Sequence, residues 1–133
     1  MIENRYERLR FDYVKAQESP EECLVEVALS FAGRTIQKTA TGESDEIGRL
    51  KSAATATLEA VREAVGNRFD CTLVDLDHVR ALGKNLIAVL VDINFQGKDF
   101  QVFGSCQITD NLLDAAAKAA LNATNRFVEL ASR

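Results

Sequence analysis

The chain is written twice, and that constrains it more than any other feature. Leu24–Arg34 lies beside Ile87–Lys98 with an offset of 64, so that Val25 meets Val89, Val27 meets Val91 and Leu29 meets Ile93. Phe31 then meets Phe95, Gly33 meets Gly97, and Arg34 meets Lys98. Upstream, an offset of 65 sets Phe11–Ala16 against Leu76–Ala81; downstream, an offset of 63 sets Ala53-Ala54 against Ala116-Ala117 and Leu58-x-Ala60 against Leu121-x-Ala123. Apolar alternation alone produces some such matches. The shared Phe and Gly, and the common order of three blocks, point to duplication, with single insertions absorbed at connections.

Each copy has the same grammar. Val25, Val27, Leu29 and Phe31 alternate with Glu26, Ala28, Ser30 and Ala32, the two-residue period of a strand with one buried face. Ala32-Gly33 and Gln96-Gly97 read as tight hairpin turns, where glycine supplies positive φ, and each leads into a further strand. Weaker first strands are expected over Arg8–Ala16 and Cys71–Ala81. A helix follows each hairpin. The first is expected to start at an N-cap Ser44 with Asp45 and Glu46 in its first turn. Ile47, Leu50, Ala54, Leu58, Val61 and Val65 then form one apolar stripe, and Gly66 ends the helix. The second is expected to start at Thr109 or Asp110, with an alanine-rich middle suited to close approach. The expected fold is therefore α+β: one domain over 1–133, duplicated as βββα-βββα, with repeats at about 8–66 and 70–131. Its strands form one antiparallel sheet of six or two of three, with both helices packed on one side. The remaining sheet face is mixed (Leu24, Ala28, Ala88 and Leu90 beside Glu26 and Asp92) and leaves room for a second copy, so a homodimer is expected.

Composition narrows the function classes. At 133 residues the chain can bury a proper core without staples. The net charge of −4 argues against a phosphate-backbone partner. Neither half is basic: residues 1–66 carry 9 basic and 12 acidic groups, and residues 67–133 carry 7 and 8. No nucleic acid is expected. The three scattered cysteines (Cys23, Cys71, Cys106) fit neither a disulfide framework nor a zinc site, and read as thiols in a reducing compartment. The N-terminus lacks the apolar run of a signal peptide, and the longest apolar run, Leu86–Val91, is far short of the ~20 residues that span a bilayer. A cytoplasmic protein without membrane contact is expected.

Catalytic signals are weak. His78 is the single histidine. Cys71 stands seven residues before it on one expected strand, which places the two on opposite faces and over ~20 Å apart, so His78 reads as an ordinary strand residue. Asp75 and Asp77 share a strand face and suit a cation or acid–base work, but read better as charges protecting an edge. The candidate ligand-binding residues lie before the helices: Gly42 and Ser44 in the first unit, Gly104, Ser105, Thr109 and Asp110 in the second. Glycine there admits a ligand to backbone N–H groups, and a helix N-terminus attracts a carboxylate. Neither segment has a phosphate-loop or dinucleotide pattern, and no cofactor is expected.

Three stretches of the second unit carry a family resemblance: Leu82-Gly83-Lys84-Asn85-Leu86-Ile87-Ala88-Val89, then Phe103-Gly104-Ser105-Cys106-Gln107-Ile108-Thr109-Asp110, and the alanine-rich run Ala115–Arg126 with its late Asn125-Arg126. Together they resemble the C-terminal regulatory domain of 2-isopropylmalate synthase and citramalate synthase, from about Arg10 onward. The resemblance implies a dimeric, non-catalytic module that binds a branched-chain amino acid or similar small carboxylate, here standing without a catalytic barrel. The first corner, Thr41-Gly42-Glu43-Ser44, departs from the family's Gly-x-Gly-Pro-like form. The alternative is a protein-interaction or assembly domain with no small ligand.

Overall fold

The computed structural model describes residues 9–132, in the order β1 (Arg10–Glu18), β2 (Glu22–Phe31), β3 (Arg34–Glu43), α1 (Glu46–Ala64), β4 (Phe69–Ala81), β5 (Lys84–Phe95), β6 (Lys98–Gln107), α2 (Leu112–Ala131). Arg8, the expected start of the first strand, lies outside the described residues. The duplicated βββα order is present, and the strands form two antiparallel three-stranded sheets, β1-β2-β3 and β4-β5-β6. Each sheet meets the helices on one side only. α1 packs on β2 and β3 of its own sheet and also on β4; α2 packs on β5 and β6 and also reaches β1. The helix pair is thus a layer shared by both sheets.

The turns follow local chemistry. Ala32-Gly33, Gln96-Gly97 and also Leu82-Gly83 each place two consecutive residues at positive φ, between 52° and 79°. That is the I′ pattern whose twist suits a two-residue hairpin. α1 ends in a Schellman motif: Gly66, at φ 62°, donates its N–H to the Glu63 carbonyl, and Asn67 donates to that of Arg62.

Both helix starts differ from expectation. The cap of α1 is Asp45, not Ser44: its Oδ1 accepts from the Gly48 N–H at 2.6 Å. β3 runs to Glu43, so Ser44 is spent turning the chain. The cap of α2 is Asn111, not Thr109 or Asp110, and its Oδ1 accepts from Leu113 and Asp114. Here β5 extends the ladder to Leu86↔Gln107, and Ile108 donates to the Asn85 carbonyl, which carries the chain further before it can turn.

The offset of 65 in the first strands is also corrected. Ala16 lies opposite Val25, and Leu76 lies opposite Val89, the matched position, so Ala16 corresponds to Leu76, an offset of 60. Both edge strands carry a bulge, between Phe11 and Tyr13 and between Leu73 and Asp75. Each bulge reverses the in–out alternation along its strand, so a pattern match across it goes astray.

Packing explains two glycines. Gly104 sits in β6 under α2, where a Cβ would lie 2.3 Å from the Ala119 carbonyl oxygen and 2.6 Å from the Ala123 nitrogen. Gly42 sits in β3, where a Cβ would lie 2.4 Å from Ser52 Oγ. The core joins Val25, Val27 and Leu29 to Val89, Val91 and Ile93 through the alanine faces of both helices. Phe69, Phe95, Phe100 and Phe127 form a ring cluster with centroids 5.3–6.2 Å apart. Every buried side-chain nitrogen or oxygen among the described residues has a partner.

Gly104→Ala should therefore destabilise by about 3 kcal/mol or more, because the clash is with backbone that cannot step aside. Gly33→Ala meets open space and should cost only its left-handed strain, roughly 1 kcal/mol. Leu82→Asn should stabilise by roughly 0.5–1 kcal/mol, since Asn tolerates the left-handed φ of 53° far better than Leu. Urea unfolding of the three variants measures all of these.

Candidate functional site

The two glycine corners are not equivalent places. Gly42 pairs with Cys23, whose counterpart Ile87 pairs with Cys106; Gly104 pairs with Val89, whose counterpart Val25 pairs with Ala40. Gly104 is buried mid-strand beneath α2 and does not stand at a helix start. Ser105 is exposed, and its N–H donates to Asn122 Oδ1 at 3.0 Å. Thr109 and Asp110 are exposed in the turn before the Asn111 cap. Ser44 is half-buried between β3 and α1.

Gly42 lines a groove of about 320 Å³, with Thr41, Glu43, Asp45, Gly48, Lys51 and Thr55 among its walls. The helix N-terminus there is occupied by its own cap, because the Asp45 carboxylate already takes the Gly48 N–H. Two acids and one base line the groove, and Lys51 Nζ lies 3.6 Å from Asp75. A simple carboxylate meets repulsion there. A zwitterion would set its ammonium toward Glu43 or Asp45 and its carboxylate toward Lys51.

Cys71 and His78 share a face of β4, contrary to expectation, because the bulge at Val74 reverses the alternation between them. They pair with Ile93 and Ile87, so they stand roughly 20 Å apart along the sheet. The Cys71 thiol is fully buried and donates to the Leu58 carbonyl. Burial pushes its pKa from 9.0 up to about 12, outweighing nearby Arg62. It is a protonated core group, not a nucleophile. Among the described residues, no three His, Cys, Asp or Glu side chains gather to hold a metal ion, and no helix is long and apolar enough to cross a membrane.

A less obvious candidate is the outer face of the second sheet. Paired residues in an antiparallel ladder point the same way, and Ile87, Val89, Val91 and Ile93 are buried against the helices. The outward rows are therefore Val79–Leu86–Gln107, Asp77–Ala88–Ser105, Asp75–Leu90–Phe103, Thr72–Asp92–Gln101 and Asp70–Asn94–Asp99, with the pair Ala81–Lys84 one row beyond Val79–Leu86. The first three rows hold an apolar strip on which Phe103 is 78% exposed. The charged side chains of this face are five aspartates and, at its hairpin end, Lys84. The hairpin tip beyond the strip carries Leu82, fully exposed and at positive φ.

The corresponding face of the first sheet differs. Its rows include Tyr13–Ala28–Gln37 and Lys15–Glu26–Thr39. The Tyr13 hydroxyl donates to Glu26 Oε2 at 2.5 Å and accepts from Gln37 at 2.7 Å, while Ser30 bonds Asp12. The bond to Glu26 holds the Tyr13 hydroxyl above its ordinary pKa. Those bonds close the middle of that face, and Leu24, 39% exposed in the row Gln17–Leu24–Thr41, is its one exposed large apolar side chain among the described residues.

Sequence reasoning found Leu90 and Ala88 but missed the strip, because Phe103 joins them only once β6 pairs in register with β5. No family model and no curated protein matches the chain. The resemblance to the synthase regulatory domain therefore stands on the quoted residues alone.

In the folded protein a thiol reagent at mildly alkaline pH should modify Cys106, which is half-buried, and spare Cys23 and Cys71; all three should react in denaturant. The unfolded chain releases the Cys71 proton near pH 9, while the fold retains it to about 12, so this group's contribution to stability falls as pH rises from 9 toward 12. Cys71→Val should flatten that alkaline loss in denaturation midpoints measured across the range.

Proposed function

We propose that the chain is a non-catalytic binding module that recognises another protein through the outer face of its second sheet. The observation that carries this is the contrast between two equivalent faces. Duplication provides the same surface twice; one copy is closed by its own hydrogen bonds, and the other bears Phe103, Leu90, Leu86, Val79 and Ala88 in one strip. Contiguous exposed apolar surface on a small domain marks an interaction site. The Leu82-Gly83 turn supports it, since a fully exposed Leu at positive φ is a costly choice for folding alone. Nothing in the Cys71–His78 geometry favours an enzyme.

A second reading, from the regulatory-domain resemblance, is a small amino-acid ligand. The groove beside Gly42 favours a zwitterion over a plain carboxylate, as its two acids and Lys51 are complementary to both ends. A module of this kind would couple the ligand to a partner through β4, where Lys51 meets Asp75.

Affinity capture from the native host's extract, with wild type and Phe103→Asp side by side, tests the first reading. A companion retained by wild type should be lost with Phe103→Asp, whose melting temperature should be unchanged, and kept with Thr39→Asp on the other sheet. Equal retention by wild type and Phe103→Asp would reject the face as an interface. For the second reading, branched-chain amino acids should raise the melting temperature of wild type and not of Lys51→Met; no shift with any amino acid removes that reading.

A further inference from the structure

Resting on the docking reading above, we infer that the occupant of this face is a basic amphipathic helix of another protein, not a second copy of the chain. Shape and charge both point there. The three apolar rows are spaced two residues apart along the strands, so the strip is roughly 14 Å long and, across three strands, roughly 10 Å wide. A helix is about 10 Å across and rises 5.4 Å per turn, so between two and three turns of an apolar stripe cover the strip.

The charges around the strip are mostly negative, five aspartates against one lysine. Asp75 and Asp77 run along its β4 side, Asp92 closes one end, and Asp70 and Asp99 lie beyond; Lys84, opposite Ala81, stands at the other end, one row past Val79–Leu86. Lys51 lies 3.6 Å from Asp75 and Arg62 lies 3.5 Å from Asp70, both reaching in from α1. Asp77 has no such partner among the ion pairs of the described residues, and Asp92 accepts only a neutral hydrogen bond, from Gln101. A second copy seated face to face offers one lysine, Lys84, against the five aspartates of each face. An anionic lipid surface or a nucleic acid meets the same repulsion. A helix with Lys or Arg flanking its apolar stripe turns each of these charges to advantage and gains a salt-dependent association rate.

Two labelled peptides, each about five helical turns long, supply the probes. They share one Leu/Ala stripe and carry either Lys or Glu on its flanks. Fluorescence anisotropy against the full chain should show binding of the Lys peptide that weakens as salt rises, and none of the Glu peptide. The triple variant Asp75→Asn, Asp77→Asn, Asp92→Asn should lose roughly tenfold in affinity, the sum of three exposed pairs. Phe103→Asp should abolish binding. Equal binding of both peptides, or of neither, overturns the inference.

Light scattering on the same proteins separates the two levels of the proposal. If the occupant is a second copy, the triple Asn variant, relieved of repulsion, associates more tightly than wild type, and Phe103→Asp returns it to monomer. That outcome rejects the basic helix while leaving the face an interface. If Phe103→Asp changes neither peptide binding nor mass, the docking reading itself falls.

Discussion

The structure depends on how closely each helix lies on its own sheet. At Gly104 the backbone of α2 comes near enough to β6 that a single added carbon would sit 2.3 Å from the Ala119 carbonyl oxygen, and at Gly42 it would sit 2.4 Å from Ser52 Oγ and 3.1 Å from the Gly48 carbonyl oxygen of α1. Those approaches set the thickness of the helix layer. They let two helices of modest side-chain volume fill the space between sheets of three strands, with alanines at most of the contact positions. A bulkier helix layer would hold the sheets apart and leave the edge strands β1 and β4 uncovered on their inner faces.

Sharing the helix layer also explains why the two units fold as one body. α1 is tied to β3 through Lys38–Glu63 and to β4 through Lys51–Asp75 and Arg62–Asp70. Each exposed pair is worth only a fraction of a kcal/mol. They guide register more than they stabilise, and the apolar contact of each helix with both sheets is the dominant cohesive term. Neither three-stranded sheet with its helix has a closed core by itself, since α1 needs β4 and α2 needs β1.

Duplication followed by divergence leaves its mark on the surfaces rather than the core. The inward positions Val25, Val27 and Leu29 match Val89, Val91 and Ile93, because both must meet the same kind of helix. The outward positions are under no such constraint. Glu26 with Tyr13 and Gln37 closes one face, whereas the positions of Leu90 and Phe103 keep the other apolar. The longer β4–β5 hairpin enlarges the second face further.

Much of this was legible in the chain. The alternation through Val25–Phe31, the Gly33 and Gly97 turns, the α1 stripe and the Gly66 terminus follow from periods and local φ preferences, which need no distant partner, and they determined the βββα-βββα order. Caps were misplaced by one or two residues, because where a strand lets go depends on its neighbour: β5 holds β6 to Gln107, and β3 continues to Glu43. The bulges at Asp12 and Val74 were invisible, and with them the true register of the first strands and the side on which His78 lies. Gly42 and Gly104 stood out in the sequence as permissive corners, but only the tertiary structure decided what their missing side chains are for. The α2 backbone occupies that space at Gly104 and the Ser52 side chain at Gly42, and the distance between packed layers is a property of the assembled fold that no local pattern encodes. Equally, the apolar strip exists only because pairing sets Val79 beside Leu86 and Leu90 beside Phe103, residues that the sequence keeps well apart.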